Sequence, residues 1–205
     1  DGNYKGKLAG SGTIVWEARK LLGKGKINYE EFMDMVSAAA PSIGHCNTMG
    51  TASSMNSVAE ALGMSLPGCA VIPAPYRERE QISFETGKRI VGMVHEDLKP
   101  SKIMKRKAFE NAVIVASAIG GSSNCTTHLI AIANHMGIKF DLSNWQKLGH
   151  KIPLLVNCQP AGEYLMESFY RAGGIPAIMK ELMKNKKIHT NVITVTGKTV
   201  GENLK

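Results

Sequence analysis

Apolar residues recur at intervals of three and four along most of the chain, which is the spacing of one face of an α-helix. Glycine and proline residues interrupt this pattern and divide it into separate helices. Asn28 and Glu31 form a capping-box pattern, so a helix is predicted to begin at Asn28 and to end at Ala39, before Pro41. The other predicted helices cover residues 11–22, 51–62, 77–98, 101–118 and 126–135, with a small one after Asp141 and two more split by Gly173 and Gly174.

Two of these helices have an apolar face. In the helix over 51–62, Ala52, Met55, Ala59 and Leu62 lie on one face. In the helix over 77–98, Ile90, Val91, Val94 and Leu98 are predicted to point inward.

Three short apolar runs, at 70–75, 152–157 and 192–196, have the length and composition of buried strands. Helices that alternate with short strands are typical of α/β proteins. The fold class predicted from the pattern is therefore a layered α/β domain, in which helices flank a mostly parallel sheet.

Composition and charge limit the kinds of molecule that this chain is expected to bind. The chain has 205 residues, 43% of them hydrophobic, and a formal net charge of +8. The positive residues are scattered, and no aromatic platform accompanies the basic runs at 102–107 and 184–187, so nucleic-acid binding is not expected. No apolar run approaches the roughly 18 residues that span a bilayer. A small anionic substrate fits the positive charge.

The four cysteines, Cys46, Cys69, Cys125 and Cys158, include no CxxC pair, which excludes a local zinc ribbon. No secretory signal is evident, so disulfides are not expected and the cytoplasm is the predicted compartment. The chain opens at Asp1 in a Gly-rich polar segment and closes on a similar one. Both ends are expected to be cut points within a longer protein.

Cys46 lies in a loop just ahead of a predicted helix N-terminus, where free backbone N–H groups and the helix dipole favour a thiolate. Gly44 and Gly50 allow the backbone to approach whatever the sulfur contacts. A thiolate can bind a metal or attack an electrophile. A lone cysteine is also often an inert packing residue, so on these residues alone both interpretations stay open.

Other polar residues have two interpretations each. Gly120–Asn124 (GGSSN) precedes a helix and offers N–H groups to an anion, but it is equally a turn capped by Ser123 or Asn124. His45 either bonds a ligand of Cys46 or only shapes the loop, and His128 is expected to be a packed residue. The run Gly197-Lys198-Thr199 is not a phosphate loop, because Val192 occupies the position of the required first glycine.

Two longer runs carry a resemblance to a known family. Residues 43–53 (IGHCNTMGTAS) and 59–68 (AEALGMSLPG) strongly resemble the dihydroxy-acid and phosphogluconate dehydratases. Further matches follow in the family's order: AFENA at 108–112, GGSSN at 120–124, HL at 128–129, IPL at 152–154, QPAGEYL at 159–165, RAGGIPA at 171–177 and TGKT at 196–199. The resemblance covers essentially the whole chain.

The resemblance implies an iron–sulfur cluster, [2Fe–2S] in the sugar-acid branch, held by three cysteines, and a neighbouring Mg²⁺. Cys46 matches the last of the three cysteines. The other two, and most Mg²⁺ ligands, would precede Asp1, and the catalytic base, a serine, would follow Lys205. No catalytic residue is therefore expected in this segment. The substrate-binding candidates are His45, Thr48, Ser122 and Asn124, and the other three cysteines are expected to be small core residues.

Within the family, residues 45–49 (HCNTM) and 72–79 (IPAPYRER) resemble the sugar-acid branch. The implied function is part of a hydro-lyase that converts a pentonate, such as D-xylonate or L-arabinonate, to a 2-keto-3-deoxy acid. The alternatives are a dihydroxy-acid dehydratase of branched-chain amino acid synthesis and a non-catalytic scaffold that keeps the fold. Residues 1–205 would be part of the N-terminal cluster-bearing domain, inactive without the absent C-terminal domain, and the full protein would be a homodimer or homotetramer.

Overall fold

The structure, a computed structural model, describes residues 1–205 and is mostly helical. Its only sheet is a two-stranded antiparallel hairpin of β1 (Gly2–Tyr4) and β2 (Lys7–Ala9). No helix combines the length and the apolar character needed to cross a bilayer. The helices are α1 (Ser11–Gly23), α2 (Tyr29–Ala39), α3 (Thr51–Ala61), α4 (Arg77–His95), α5 (Pro100–Ile103), α6 (Arg106–Ala118), α7 (Asn124–His135), α8 (Leu142–Gly149), α9 (Met166–Arg171), α10 (Gly174–Lys184) and α11 (Val200–Asn203).

The hairpin and the first two helices form a small unit with its own core. Lys5 and Gly6 both have positive φ, 49° and 82°, as a two-residue hairpin turn requires. The hairpin packs against α2, and α1 and α2 pack against each other. The predicted capping box is confirmed, since the Glu31 N–H donates to Asn28 Oδ1 at 2.8 Å and the Asn28 N–H donates to the Glu31 carboxylate at 3.1 Å. The buried residues of this unit are Ala9, Ile14, Ala18, Met35 and Ala39.

The main core surrounds α6, which is buried on nearly all sides. Helices α3, α7, α8 and α10 contact it. A helix that is apolar all round in this way can only be an interior element. Its one buried polar residue, Asn111, donates to the His189 carbonyl and accepts from the His189 N–H, both at 2.8 Å. The side-chain amide of Asn111 therefore pairs both the N–H and the carbonyl of His189.

The predicted parallel sheet is not formed by the described residues. Segments 70–75, 152–157 and 192–196 contain turns, extended backbone and isolated bridges, but no strand of a sheet. From Leu154 to Val156 the only backbone hydrogen bond runs from the Leu155 N–H to the Ala118 carbonyl, at 2.7 Å. A strand requires a neighbouring strand to pair its N–H and C=O groups, and no strand pairs with this segment.

Most predicted helices are confirmed, but one is divided. The chain leaves the helical region at Met104, where ψ is 67°, so the helix predicted over 101–118 is two helices, α5 and α6. The Lys105 N–H then bonds the Ile103 carbonyl at 2.7 Å, across a tight turn.

The apolar face predicted for α3 is confirmed only in part: Leu62 is buried and Met55 packs against the core, but most of the buried side is polar. Ala52 is exposed, whereas Ser53, Ser54 and Ser57 are fully buried. Ser53 Oγ donates to the Thr48 carbonyl at 2.7 Å and Ser57 Oγ to the Ser53 carbonyl at 2.8 Å, while Ser54 Oγ accepts from the Ser122 N–H at 2.9 Å. Small hydroxyl side chains can be buried at a helix contact when each one has a backbone partner.

The inward face predicted for α4 is mostly wrong. Ile90, Val91 and Val94 are exposed, and Met93 is the one buried residue of the helix. Leu98 is half-buried and packs against the cluster that contains Met93. Ile90 and Val94 line an open groove between the helix and the body of the chain.

Candidate functional site

The loop that carries Cys46 is held firmly on its C-terminal side. The Asn47 side chain donates to the carbonyls of Ala9 and Ala39, at 3.3 and 3.2 Å, and accepts from the Ser11 N–H at 2.8 Å. The Met49 N–H donates to the Gln159 carbonyl at 2.7 Å. One asparagine thus connects the loop to the hairpin, α1 and α2, and the loop position is fixed by backbone groups that are far apart in sequence.

The thiol of Cys46 is exposed and lies over the start of α3. It makes no hydrogen bond, and a Cβ placed on Gly50 would lie 3.5 Å from its sulfur, which is ordinary van der Waals contact. Gly50 is the N-cap of α3 and has no side chain to cap the helix, so the first N–H groups of the helix lack a side-chain partner. The sulfur therefore lies without a protein partner beside an uncapped helix N-terminus.

His45 is bonded on both sides of its ring. Its Nδ1 lies 2.8 Å from the Cys46 carbonyl oxygen, and its Nε2 lies 3.2 Å from the amide nitrogen of Asn56. A carbonyl oxygen can only accept, so Nδ1 carries the proton and Nε2 accepts from the amide of Asn56. The ring therefore links the Cys46 backbone to α3.

The Cys46 loop forms one wall of a cavity of about 210 Å³. The opposite wall is the segment from Ala70 to Tyr76, and Met166 and Glu167 close one side. Arg79 reaches this cavity from α4 and donates a hydrogen bond to the Ile72 carbonyl. The cavity thus has polar groups at its edge and the Cys46 sulfur in its lining.

A polar cluster that the sequence did not indicate lies at the edge of this cavity. The Tyr76 hydroxyl donates to the Glu167 carboxylate at 2.5 Å, and Arg171 donates to the same carboxylate at 2.7 Å and to the Tyr76 oxygen at 2.9 Å. Hydrogen bonds from the Tyr76 hydroxyl and Arg171 hold the pKa of Glu167 below the usual value of a glutamate. Tyr76 and Glu167 are 91 residues apart, so no local pattern could have paired them.

Glu60 is a second residue that the sequence did not indicate. It is buried on α3, and its carboxylate accepts from the N–H groups of Gly68 and Ala70 at 2.7 and 2.8 Å. Burial raises the pKa of Glu60 to about 7, against the opposing effect of these two hydrogen bonds. The bonds fix the turn from which the Ala70–Tyr76 wall of the cavity begins.

The other predicted substrate residues lie around the start of α3 rather than in the cavity. Ser122 Oγ is 3.1 Å from Thr51 Oγ1, and the Asn124 amide donates to Thr51 Oγ1 at 2.8 Å. Thr48 is buried, and its carbonyl accepts from Ser53 Oγ. The structure therefore brings His45 and Cys46 together in the cavity lining and brings Ser122 and Asn124 together at Thr51, outside it.

The described residues do not contain a complete metal site. No three His, Cys, Asp or Glu side chains lie close enough together to hold a metal ion. Cys125 and Cys158 are buried, as expected of core residues, and burial raises the pKa of both thiols. Cys69 is half-buried beside Arg79, at 3.6 Å from Nη1 to sulfur. Cys46 is the one exposed thiol. Its position is compatible with the role of one metal ligand, in a site whose other ligands are not among these residues.

Comparison with known proteins agrees with the resemblance seen in the sequence. The family model described as "Dihydroxy-acid/6-phosphogluconate dehydratase N-terminal" matches residues 3–203. The chain spans about a third of the length of the curated relatives it matches. These include D-xylonate dehydratase of Caulobacter vibrioides (53% identical over 205 residues, all of this chain and 34% of the relative), L-arabinonate dehydratase of Rhizobium leguminosarum bv. trifolii (45% over 205 residues, all of this chain and 35% of the relative) and dihydroxy-acid dehydratase of Flavobacterium psychrophilum (43% over 204 residues, 98% of this chain and 37% of the relative).

Proposed function

The chain belongs to the dihydroxy-acid/6-phosphogluconate dehydratase family, and on this premise we propose that it is part of the N-terminal domain of a hydro-lyase that dehydrates a sugar acid. The observation that carries the proposal is the identity of 53% over all 205 residues with a D-xylonate dehydratase, against 43% with a dihydroxy-acid dehydratase. The proposed substrate is a pentonate such as D-xylonate or L-arabinonate. A second candidate is dihydroxy-acid dehydration, which the 43% identity favours less.

The reaction removes the proton beside the carboxylate and the hydroxyl on the next carbon, and the enol that remains rearranges to a 2-keto-3-deoxy acid. Hydroxide is a poor leaving group, and the proton is weakly acidic. When bound, a [2Fe–2S] cluster with one open iron position supplies a Lewis acid for the departing hydroxyl, and Mg²⁺ stabilises negative charge beside the carboxylate. The residues that hold Mg²⁺ and the catalytic base are proposed to lie outside this segment.

Cys46 is the residue that we propose as a cluster ligand. Three observations support this role: its thiol is exposed, makes no hydrogen bond, and lies over an uncapped helix N-terminus in the lining of a cavity. These features leave the sulfur accessible to a metal ion. The remaining ligands would come from other parts of the polypeptide, because the described residues provide only this one thiol at the cavity. An exposed thiol of this kind suits the reducing cytoplasm, the compartment that we propose.

The residues around Cys46 are proposed to bind and orient. His45 holds the Cys46 carbonyl through Nδ1–H and so orients the thiol. Thr48 is proposed to support the same loop from the buried side. Ser122 and Asn124 stay weaker candidates for the substrate, since both side chains already bond Thr51. The net charge of +8 favours the approach of an anionic polyhydroxy acid.

Two broader features of the full protein belong to the same proposal. The full protein is a homodimer or homotetramer, and the N-terminal domain is a layered α/β domain with a mostly parallel sheet. The extended backbone from Leu154 to Val156 supports the sheet, because its N–H and C=O groups are almost unpaired and the exposed Leu154 side chain lacks a covering layer.

Metal analysis of the full-length protein tests the ligand assignment. Cys46→Ser should lose most of the iron and acid-labile sulfide and all dehydratase activity, because the oxygen of serine is a poor replacement for a thiolate on iron. Cys69→Ser is the matched control and should keep both. A Cys46→Ser protein with a full complement of iron and sulfide would show that the assignment is wrong.

A substrate panel tests the reaction. The full-length protein should release 2-keto-3-deoxy acids from pentonates, with D-xylonate and L-arabinonate among the best substrates. Dihydroxy-acid dehydration predicts turnover of 2,3-dihydroxy-3-methyl acids instead. Turnover of only those branched acids would contradict the sugar-acid proposal and leave the cluster proposal intact.

A further inference from the structure

The Ala70–Tyr76 wall, which faces Cys46 across the cavity, makes almost no backbone hydrogen bonds of its own. It contains turns and extended backbone but no helix or strand. Within it, the Tyr76 N–H is the only one that bonds another backbone group, the Pro73 carbonyl at 3.1 Å. Pro73 and Pro75 restrict the backbone but offer no N–H group. In the described chain, side chains from neighbouring helices therefore hold this segment.

The first of these side chains is Glu60, at the end of α3. Its carboxylate is buried, and each of its oxygens accepts one backbone N–H, from Gly68 at 2.7 Å and from Ala70 at 2.8 Å. A carboxylate that accepts two N–H groups fixes both of them in one orientation. Glu60 thus determines where the wall begins and in which direction it leaves α3.

Two further side chains hold the middle and the end of the wall. Arg79, which is half-buried on α4, donates from Nη2 to the Ile72 carbonyl. The Tyr76 hydroxyl donates to Glu167 of α9 at 2.5 Å. The wall is therefore held at three points by three different helices, although it belongs to no element itself.

Helix α3 holds both sides of the cavity. Its residue Asn56 bonds Nε2 of His45 at 3.2 Å and so holds the Cys46 loop. Glu60 follows four residues later, which places the two side chains on one face of the helix, a turn of about 5.4 Å apart. The separation between the Cys46 loop and the opposite wall is thus set by a single rigid helix.

A wall held in this way can discriminate acids by their length. The cavity has a volume of about 210 Å³, and the whole wall lines it. A rigid pocket separates substrates that differ by one carbon by roughly 10–200-fold, because the longer one clashes with an atom that does not move. A wall that is free to move gives way to the longer substrate and loses this preference.

We propose that Glu60 and Arg79 are positioning residues that fix the Ala70–Tyr76 wall opposite Cys46, and that the fixed wall limits the length of the acid that the site accepts. The inference rests on the proposed function, since it takes the acid to bind beside Cys46. It deepens that function by naming what separates a five-carbon sugar acid from a six-carbon one.

Kinetics of the full-length protein on two acids test the wall. D-gluconate is D-xylonate lengthened by one CHOH group, and the unaltered protein should prefer D-xylonate in kcat/KM. In Glu60→Gln and in Arg79→Met this preference should fall about tenfold. The change should lie in KM, with kcat per bound cluster nearly unchanged, because the wall binds the acid and takes no part in the chemistry. The ratio for two substrates does not depend on how much of the protein is folded.

Two variants on the same helix control this experiment. Arg77→Met is the matched control for Arg79→Met, since the Arg77 side chain is 92% exposed, and it should keep the preference of the unaltered protein. Arg79→Lys keeps an N–H donor for the Ile72 carbonyl and should restore most of the preference. Arg79→Met decides the matter if Glu60→Gln does not fold. An unaltered protein that accepts both acids equally, or variants that keep its preference, would overturn the proposal.

Hydrogen exchange separates this inference from the proposed function. Without the Glu60 carboxylate, the Gly68 and Ala70 amides should exchange about fivefold faster, the equivalent of one lost hydrogen bond. Unchanged exchange in Glu60→Gln would show that other parts of the polypeptide hold the wall. If only branched 2,3-dihydroxy-3-methyl acids are turned over, the sugar-acid function fails, and the same ratio is measured on two such acids that differ by one carbon. No turnover of any acid, with faster exchange, would overturn the function and the length limit but confirm the positioning.

Discussion

At the scale of single residues, the site is organised by hydrogen bonds that cross from one loop to another. His45 binds the carbonyl of Cys46 with one ring nitrogen and the amide of Asn56 with the other. Asn47 binds three backbone groups of the N-terminal unit. The Cys46 thiol itself is exposed and has no hydrogen-bond partner. The surrounding polar groups therefore fix the backbone and leave the sulfur free for a ligand.

The contact of His45 leads to a prediction about cluster retention. In the full-length protein, His45→Ala should shorten the half-life of the cluster under a chelator by about tenfold, since outer-sphere groups that orient a ligand usually contribute this much. His45→Asn keeps a side-chain N–H near the Cys46 carbonyl and should restore most of the lifetime. Visible absorbance and bound iron measure the loss. An unchanged half-life in His45→Ala would mean that the ring only fills space.

Burial of Glu60 leads to a prediction about pH. Its pKa in the fold is raised to about 7, above the usual value of a glutamate, so the folded state binds the proton more tightly than the unfolded state. The stabilisation is complete below about pH 4 and is lost as the pH rises towards 7. The unfolding midpoint in denaturant should therefore fall over this range.

The control for this prediction is a variant at another acidic residue. Glu60→Gln removes the titration and should flatten the decrease between pH 5 and 7, whereas Glu17→Gln, on an exposed position of α1, should leave it unchanged. An equal slope in Glu60→Gln and the unaltered protein would show that the carboxyl does not titrate in this range.

At the scale of elements, helix starts are encoded locally and can be tested locally. Asn28 caps α2 and Asp141 caps α8, each through a complete capping box. Replacing such a cap with alanine costs about 1 kcal/mol. Asn28→Ala should accelerate amide hydrogen exchange within 29–39 and leave 142–149 unchanged, and Asp141→Ala should do the reverse. If either variant changed amide hydrogen exchange in both helices, the idea that each cap stabilises only its own helix would be wrong.

The serine face of α3 gives a second prediction at this scale. Ser54→Ala leaves the Ser122 N–H without its partner, and an unpaired buried donor costs roughly 1–3 kcal/mol. Ser57→Ala removes only a bond to the Ser53 carbonyl of the same helix and should cost much less. Denaturant midpoints of the two variants measure the difference. Equal loss in both would mean that packing volume, rather than the hydrogen bond, determines the cost.

At the scale of the whole molecule, the chain has a well-packed centre around α6 and two surfaces that lack a covering layer. One is the exposed apolar side of α4, and the other is the extended segment from Leu154 to Val156 with its exposed leucines. Both carry apolar side chains that the sequence pattern predicts to be buried. At the extended segment, the proposed sheet explains this exposure, because a neighbouring strand would pair its backbone groups.

Hydrogen exchange on the full-length protein tests the strand. If a parallel sheet includes this segment, the N–H groups of Leu154 and Val156 are paired and should exchange slowly, at rates close to those of α6. Amides at the exposed start of α1 give the reference for fast exchange. Rapid exchange at Leu154 and Val156 would contradict the proposed sheet.

The sequence by itself determined the features that depend on neighbouring residues. Capping boxes, the helix that follows Cys46 and the family are all readable from short runs, because a cap or a motif involves residues within a few positions of each other. Helix boundaries were mostly correct for the same reason. The division of α5 from α6 at Met104 was missed, since nothing in the local pattern marks a break there.

The tertiary structure alone decided which faces are buried and which side chains meet. Periodicity shows that a helix has an apolar face, but only packing shows whether that face points to the core, as on α6, or to solvent, as on α4. Likewise, Tyr76 finds Glu167 and Ser122 finds Ser54 across long stretches of chain. Such pairs arise from the way the elements pack, and a strand forms only where a second strand supplies its hydrogen bonds.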